Sequence, residues 1–160
     1  MKPATHPVPY NATARRLQWP FLPPNLRGWI ERKCGSPVLK ALSQDSGFTP
    51  GFASILICED GTRHFVKAAS VKAQRPFADS YREEARKLAA LPDSVPAPRL
   101  RHLLDDDWVV LIIDCVDARA PYRPWLAADL DATLDALETV AAALTPPPDG
   151  LVLERAEDDF

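Results

Sequence analysis

FASILICEDGTRHFVKAA, residues 52–69, decides the fold. Two apolar, β-branched runs, Phe52 to Cys58 and His64 to Ala69, flank Glu59-Asp60-Gly61-Thr62, and Asp-Gly between such runs predicts a β-hairpin. A two-residue loop would set Lys67 opposite Ser54. A three-residue loop ending on a left-handed Gly61 would set it opposite Ala53. In either register Lys67 lies two or three residues from Gly51, about 7 to 10 Å along the sheet at roughly 3.4 Å per residue.

Upstream of the hairpin, Gly47-Phe48-Thr49-Pro50-Gly51 is a turn-forming loop, and Val38 to Ser43 predicts a first strand. A short helix is expected before it, because Leu26, Trp29 and Ile30 fall at i, i+3, i+4 and Gly35 sits where a left-handed C-terminal cap belongs. Residues 1–24 lack apolar periodicity and are read as a flexible arm. Downstream, Pro76 to Leu91 is a helical block whose main part starts after Ser80, spaced with Glu83 as a capping box. Leu100 to Leu104 and Trp108 to Asp114 then predict a second hairpin around Asp105-Asp106-Asp107. From Asp129 to Leu144, Leu130, Leu134, Leu137, Ala141 and Leu144 repeat at helical period. Proline clusters at 20–24, 96–98, 121–124 and 146–148 mark the connections, since proline has no amide donor. The expected fold is α+β: a five-stranded antiparallel sheet carrying one long packed helix over residues 25–117, with a linker and a further helix in 118–160.

Composition narrows the function. The chain has 160 residues and 46% hydrophobic content, enough for a core. A net charge of −3, with no basic run, argues against a nucleic-acid partner. The longest apolar stretch, Trp108 to Ile113, is far short of the ~20 residues that span a bilayer, and no apolar signal core opens the chain, so no membrane partner and a cytoplasmic setting are expected. Three scattered cysteines, Cys34, Cys58 and Cys115, suit reduced core thiols, and no chemistry is assigned to them.

Chemistry enters through three features in order. Glycine turns let backbone amides approach an anion, and Lys67 beside the turn supplies a compact positive charge. An ammonium in a half-buried cleft needs a carboxylate partner, and Glu84 falls beside the apolar helix stripe of Tyr81, Ala85 and Leu88, facing the sheet. Glu83 is displaced from that face and is expected only to cap, and Lys87 to be exposed. Last, Trp108 to Asp117 is an apolar strand running into a polar linker, whose unpaired backbone groups suit the edge of a flat base. Singly, each has a plain structural reading as a turn glycine, a surface ion or a buried strand.

Together, Ser46-Gly47-Phe48-Thr49-Pro50-Gly51, Phe65-Val66-Lys67-Ala68, Tyr81-Arg82-Glu83-Glu84-Ala85-Arg86 and Val95-Pro96-Ala97-Pro98-Arg99-Leu100 resemble the amino-terminal lobe of the aminoglycoside phosphotransferases, a protein-kinase-like fold. The resemblance covers about Gly35 to Pro148. It implies that Gly47, Phe48, Thr49 and Gly51 cover the phosphates of ATP, that Lys67 contacts the α- and β-phosphates while Glu84 holds it, and that Phe65 stacks near the adenine. Ile113 would back the base pocket, and the backbone of Asp114 and Val116 would bond the base edge. The loop has two glycines where protein kinases have three. The family's other lobe carries a His-x-Asp segment, then an Asn and an Asp that bind Mg2+, and none of His6, His64 or His102 starts such a segment. No catalytic residue or metal ligand is therefore assigned. The chain is expected to be an inactive piece of a small-molecule kinase that, whole, moves the γ-phosphoryl of ATP to a hydroxyl of a small-molecule acceptor. The alternative is a nucleotide- or partner-binding module without chemistry.

Overall fold

Alternation of apolar side chains along five strands builds the molecule around one sheet. A computed structural model describes residues 14–47, 49–119, 121–122 and 124–151. Strands β1 (Val38–Ser43), β2 (Phe52–Cys58), β3 (Arg63–Ser70), β4 (Leu100–Asp105) and β5 (Trp108–Asp114) pair antiparallel in the order β1-β2-β3-β5-β4. Helix α1 (Pro24–Cys34) precedes the sheet, α2 (Arg75–Ala90) joins β3 to β4, and α3 (Ala127–Ala143) follows β5. The α+β class and the five antiparallel strands agree with the sequence reading.

The β2–β3 register resolves the open alternative. Ala53 pairs with Lys67, Gly61 is left-handed at φ 83°, and its amide donates to the Cys58 carbonyl, so the connection is the three-residue loop. Period-two alternation then sends each strand's residues to opposite faces. On one face, Phe52, Leu56, Cys58, Val66, Val110 and Ile112 meet Leu26, Ile30 and Cys34 of α1. On the other, Ala69, Val109, Leu111 and Ile113 meet Ala78, Tyr81 and Ala85 of α2. Gly35 ends α1 in the left-handed conformation at φ 85°, its amide bonded to the Glu31 carbonyl.

Two expectations are corrected. The helical block expected from Pro76 to Leu91 is α2, Arg75–Ala90, but it runs unbroken through Ser80, because Pro76 fits the first turn, where its missing amide costs nothing. Ser80 and Glu83 are thus inside the helix and form no capping box. Glu83 instead accepts from Arg86 at 2.6 and 3.0 Å and pairs with Lys87 at 3.2 Å, and these donors, Arg86 foremost, hold its carboxyl down at about 2. Second, residues 14–24 of the expected loose arm are packed: Leu22 is buried, Leu17 and Trp19 lie against the α1-side core, and the Ala14 amide donates to the Asp45 carbonyl. Single aperiodic side chains fill gaps at the sheet edge, which leaves no pattern to read. Residues 1–13 fall outside the described residues. The apolar stripe of α3 is turned outward, with Leu130, Leu134 and Leu137 exposed.

Candidate functional site

The centre of the α2 face carries charge. Lys67 stands on β3 between the apolar rows of β2 and β5, and α2 crosses above it with Glu84 directed at the sheet. Lys67 Nζ donates to both Glu84 oxygens, at 2.7 and 2.8 Å, with the two side chains 24% and 32% exposed. A bidentate, half-desolvated contact fixes the ammonium more firmly than a surface pair does. Aromatic faces frame it: Nζ lies 5.9 Å from the Phe65 ring and 5.6 Å from the Tyr81 ring.

Beside this pair the loop between β1 and β2 curls over a cavity of about 310 Å³ lined by Arg16, Thr49, Phe65, Lys67 and Tyr81 among others. Arg16 organises the loop. Its guanidinium donates to the carbonyls of Gln44 (2.6 Å), Ser46 (3.1 Å), Thr49 (2.8 Å) and Gly51 (3.4 Å), and to Thr49 Oγ1 (3.1 Å). The expected amide-lined turn is therefore, at these four positions, a ring of carbonyls around a cation. The same guanidinium borders the cavity that Lys67 borders, which brings two positive groups to one concavity.

Each loop glycine answers a local demand. Gly47 has φ 112°, and a Cβ there would lie 3.2 Å from Arg16 Nη2. At Gly51 a Cβ would stand 2.9 Å from the Tyr81 hydroxyl and 3.1 Å from the Ala68 carbonyl, so its small size serves close packing on Tyr81. That hydroxyl is buried and has no hydrogen-bond partner of normal geometry among the described residues, although Thr49 and Arg16 stand near it. Burial pushes the Tyr81 phenol up from its ordinary value, so it remains a donor at neutral pH.

Of the residues singled out in the sequence, Thr49, Phe65 and Lys67 line the cavity and Glu84 holds Lys67. Gly47 and Gly51 shape the loop, and Phe48 lies outside the described residues. Ile113 is buried on the α2 face, where it pairs with Phe65. Asp114 ends β5. Its amide donates to the Arg99 carbonyl and its carboxylate accepts from Arg101 (2.5 and 2.9 Å) and the Arg99 amide (3.2 Å), so that amide is already committed. The Arg101 bonds hold the Asp114 carboxyl below its ordinary value. Val116 lies in the exposed linker. Ile113, Asp114 and Val116 thus lie outside the lining of the cavity that the loop residues border.

Arg16 and Tyr81 were not singled out as site residues. Arg16 sits in an aperiodic segment, and its loop is far away in sequence. Tyr81 was read only as part of the apolar helix face, and its hydroxyl gives no periodic signal. The proline phrase before β4 has a local cause: Arg99 gathers the carbonyls of Leu91, Pro92, Asp93 and Val95 at 2.8 to 3.2 Å, fixing the entry to the strand.

No match was found. Neither protein-family models, nor curated proteins, nor solved structures yield a relative of this chain. Function is accordingly argued from the site's own chemistry. Among the described residues, no helix is long and apolar enough to cross a membrane.

Proposed function

We propose that this chain is the nucleotide-holding, kinase-like amino-terminal lobe of a cytoplasmic small-molecule phosphotransferase resembling the aminoglycoside phosphotransferases. The supporting observation is the bidentate Lys67–Glu84 pair placed beside a curled loop and a cavity of about 310 Å³. Phosphate oxygens suit this concavity: Lys67 offers an ammonium oriented by Glu84, Arg16 a second cation, and Tyr81 a buried hydroxyl that has no hydrogen bond of normal geometry among the described residues. ATP when bound supplies the γ-phosphoryl group. This chain's part is to neutralise and position the phosphate chain, which is most of what such catalysis requires. Glu84 restrains the ammonium, so that less side-chain entropy is lost on binding. Phe65 gives an apolar surface for the base, with Ile113 buried beside it.

Mg2+ fits less well. Glu84 is the carboxylate at the Lys67 end of the site and is taken up by the ammonium, so we assign the metal no ligand among the described residues. The sequence also holds no His-x-Asp segment, and this chain is assigned the nucleotide-holding part of the reaction and none of the acceptor chemistry.

Titration of the chain with a non-hydrolysable ATP analogue tests the reading. Lys67→Met is expected to weaken binding roughly ten- to 100-fold, the worth of a charge-assisted hydrogen bond of about 1.5–3 kcal/mol. Equal binding by the two proteins, or none by either, contradicts it. A second reading, a binding module without chemistry, draws on the Arg16 guanidinium filling the inner side of the loop. If the arm closes the site in that way, Arg16→Ala raises nucleotide affinity instead of lowering it.

A further inference from the structure

The opposite sheet face holds a second cluster that the phosphate site does not use. Cys34 closes α1, Cys58 closes β2 and His64 opens β3. The three-residue hairpin loop brings the last two together, and the Gly35 cap turns the end of α1 onto them. The two sulfurs and one imidazole nitrogen all lie within 4.8 Å of one another. Both cysteines are buried free thiols, and His64 is partly exposed.

Two soft sulfurs and an imidazole are the donor set that zinc prefers. Tetrahedral zinc with Zn–S near 2.3 Å sets two sulfurs about 3.8 Å apart, so the present spacing needs to contract by about 1 Å or less. Side-chain rotation can supply that. Binding would release the two thiol protons, and a divalent ion with two thiolates and a neutral imidazole carries no net charge, which suits the partly apolar surroundings formed by core residues one step away along the same elements, Leu56 on β2 and Ile30 on α1. An outer support is also in place. His64 Nε2 lies 3.3 Å from Thr62 Oγ1, and Thr62 donates to Asp60 Oδ1 through its hydroxyl (2.6 Å) and its amide (2.9 Å). Asp60 Oδ1 is thereby occupied, and the exposed side of His64 leaves the fourth position to water.

We propose that Cys34, Cys58 and His64 bind one zinc-like divalent cation that clips the end of α1 to the β2–β3 hairpin. His64 and Lys67 project from opposite faces of β3, so the clip acts on the fold and not on the phosphate site.

The reduced 160-residue chain titrated with Co2+ provides the test. Expected are sulfur-to-cobalt charge-transfer absorption and the intense visible bands of tetrahedral cobalt, saturating at one ion per chain and bleached by Zn2+. Cys34→Ser and Cys58→Ser should each weaken uptake more than about 100-fold, beyond the usual effect of losing an outer-shell partner. Cys115→Ser should leave uptake unchanged. Should a cysteine variant unfold by circular dichroism, His64→Asn, at a partly exposed position, carries the comparison, and at least a tenfold loss is expected. Wild-type protein without the charge-transfer band overturns the proposal, as does a band that survives Cys34→Ser or His64→Asn in folded protein. Thermal unfolding read alongside should rise with Zn2+ in wild type and not in His64→Asn.

Discussion

The two faces of the sheet are built from alternate residues of the same strands and differ in what covers them. Toward α1 the strands present Phe52, Leu56, Val66, Val110 and Ile112, all fully buried, and the helix answers with Leu26 and Ile30. Toward α2 they present smaller or polar groups at the centre, Ala53, Lys67 and Ala69, and the helix answers with Ala78, Tyr81, Ala85 and Glu84. The first face resembles the interior of any stable domain. The second keeps an ion pair and a cavity in a place where larger apolar side chains would give more burial, and a half-desolvated charge pair is a weak way to stabilise a fold. A half-buried Lys67–Glu84 pair at its centre is what directs attention there.

Substitutions can break this contrast. Phe52→Ala on the α1 face should be the most damaging, at about 3–5 kcal/mol of stability by urea unfolding, since a fully buried ring leaves a cavity. Gly51→Ala carries the effect to the loop. Its methyl would meet the Tyr81 hydroxyl and the Ala68 carbonyl, and backbone cannot yield cheaply, so a loss of about 1–3 kcal/mol is expected together with weaker nucleotide-analogue binding. A protein as stable as wild type would show that the loop is free to move away from α2. Arg16→Ala should spare most of the stability, yet leave four loop carbonyls without their donor. We expect about a tenfold loss of analogue affinity by calorimetry, a change of about 1.4 kcal/mol.

The smallest effect concerns acid. Arg101 holds the Asp114 carboxyl below its ordinary value of 3.8, so the pair contributes to stability above that pH and the contribution is lost as pH falls through the lower, folded value. Stability curves of wild type and Asp114→Asn should therefore differ at neutral pH and converge on acidification below about 4. Parallel curves would remove the pair from the account.

Much of this contrast is legible in the sequence, because strands and helices announce themselves by period. The boundaries of β1, β2 and β5 follow from apolar runs and flanking turns, and Glu84 is placed toward the sheet by its angle from Tyr81 and Ala85. Other features depend on contacts distant in sequence and have no period. Arg16 reaches a loop about thirty residues away, and the hairpin register rests on whether Gly61 is left-handed. The extent of α2 is legible to within one residue at each end, whereas Ser80 and Glu83 have capping spacing without being a start, since Pro76 in the first turn is the stronger device. Cys34, Cys58 and His64 come together only when α1 docks on the hairpin, so their spacing in the chain gives no motif.

The central claim is that Glu84 serves the nucleotide through Lys67. A double-mutant cycle of Lys67→Met and Glu84→Gln, read as ATP-analogue affinity, tests it directly. The account predicts that Glu84→Gln weakens binding in the wild-type background and has no further effect once Lys67 is Met. Equal losses in both backgrounds, or no loss in either, would contradict it.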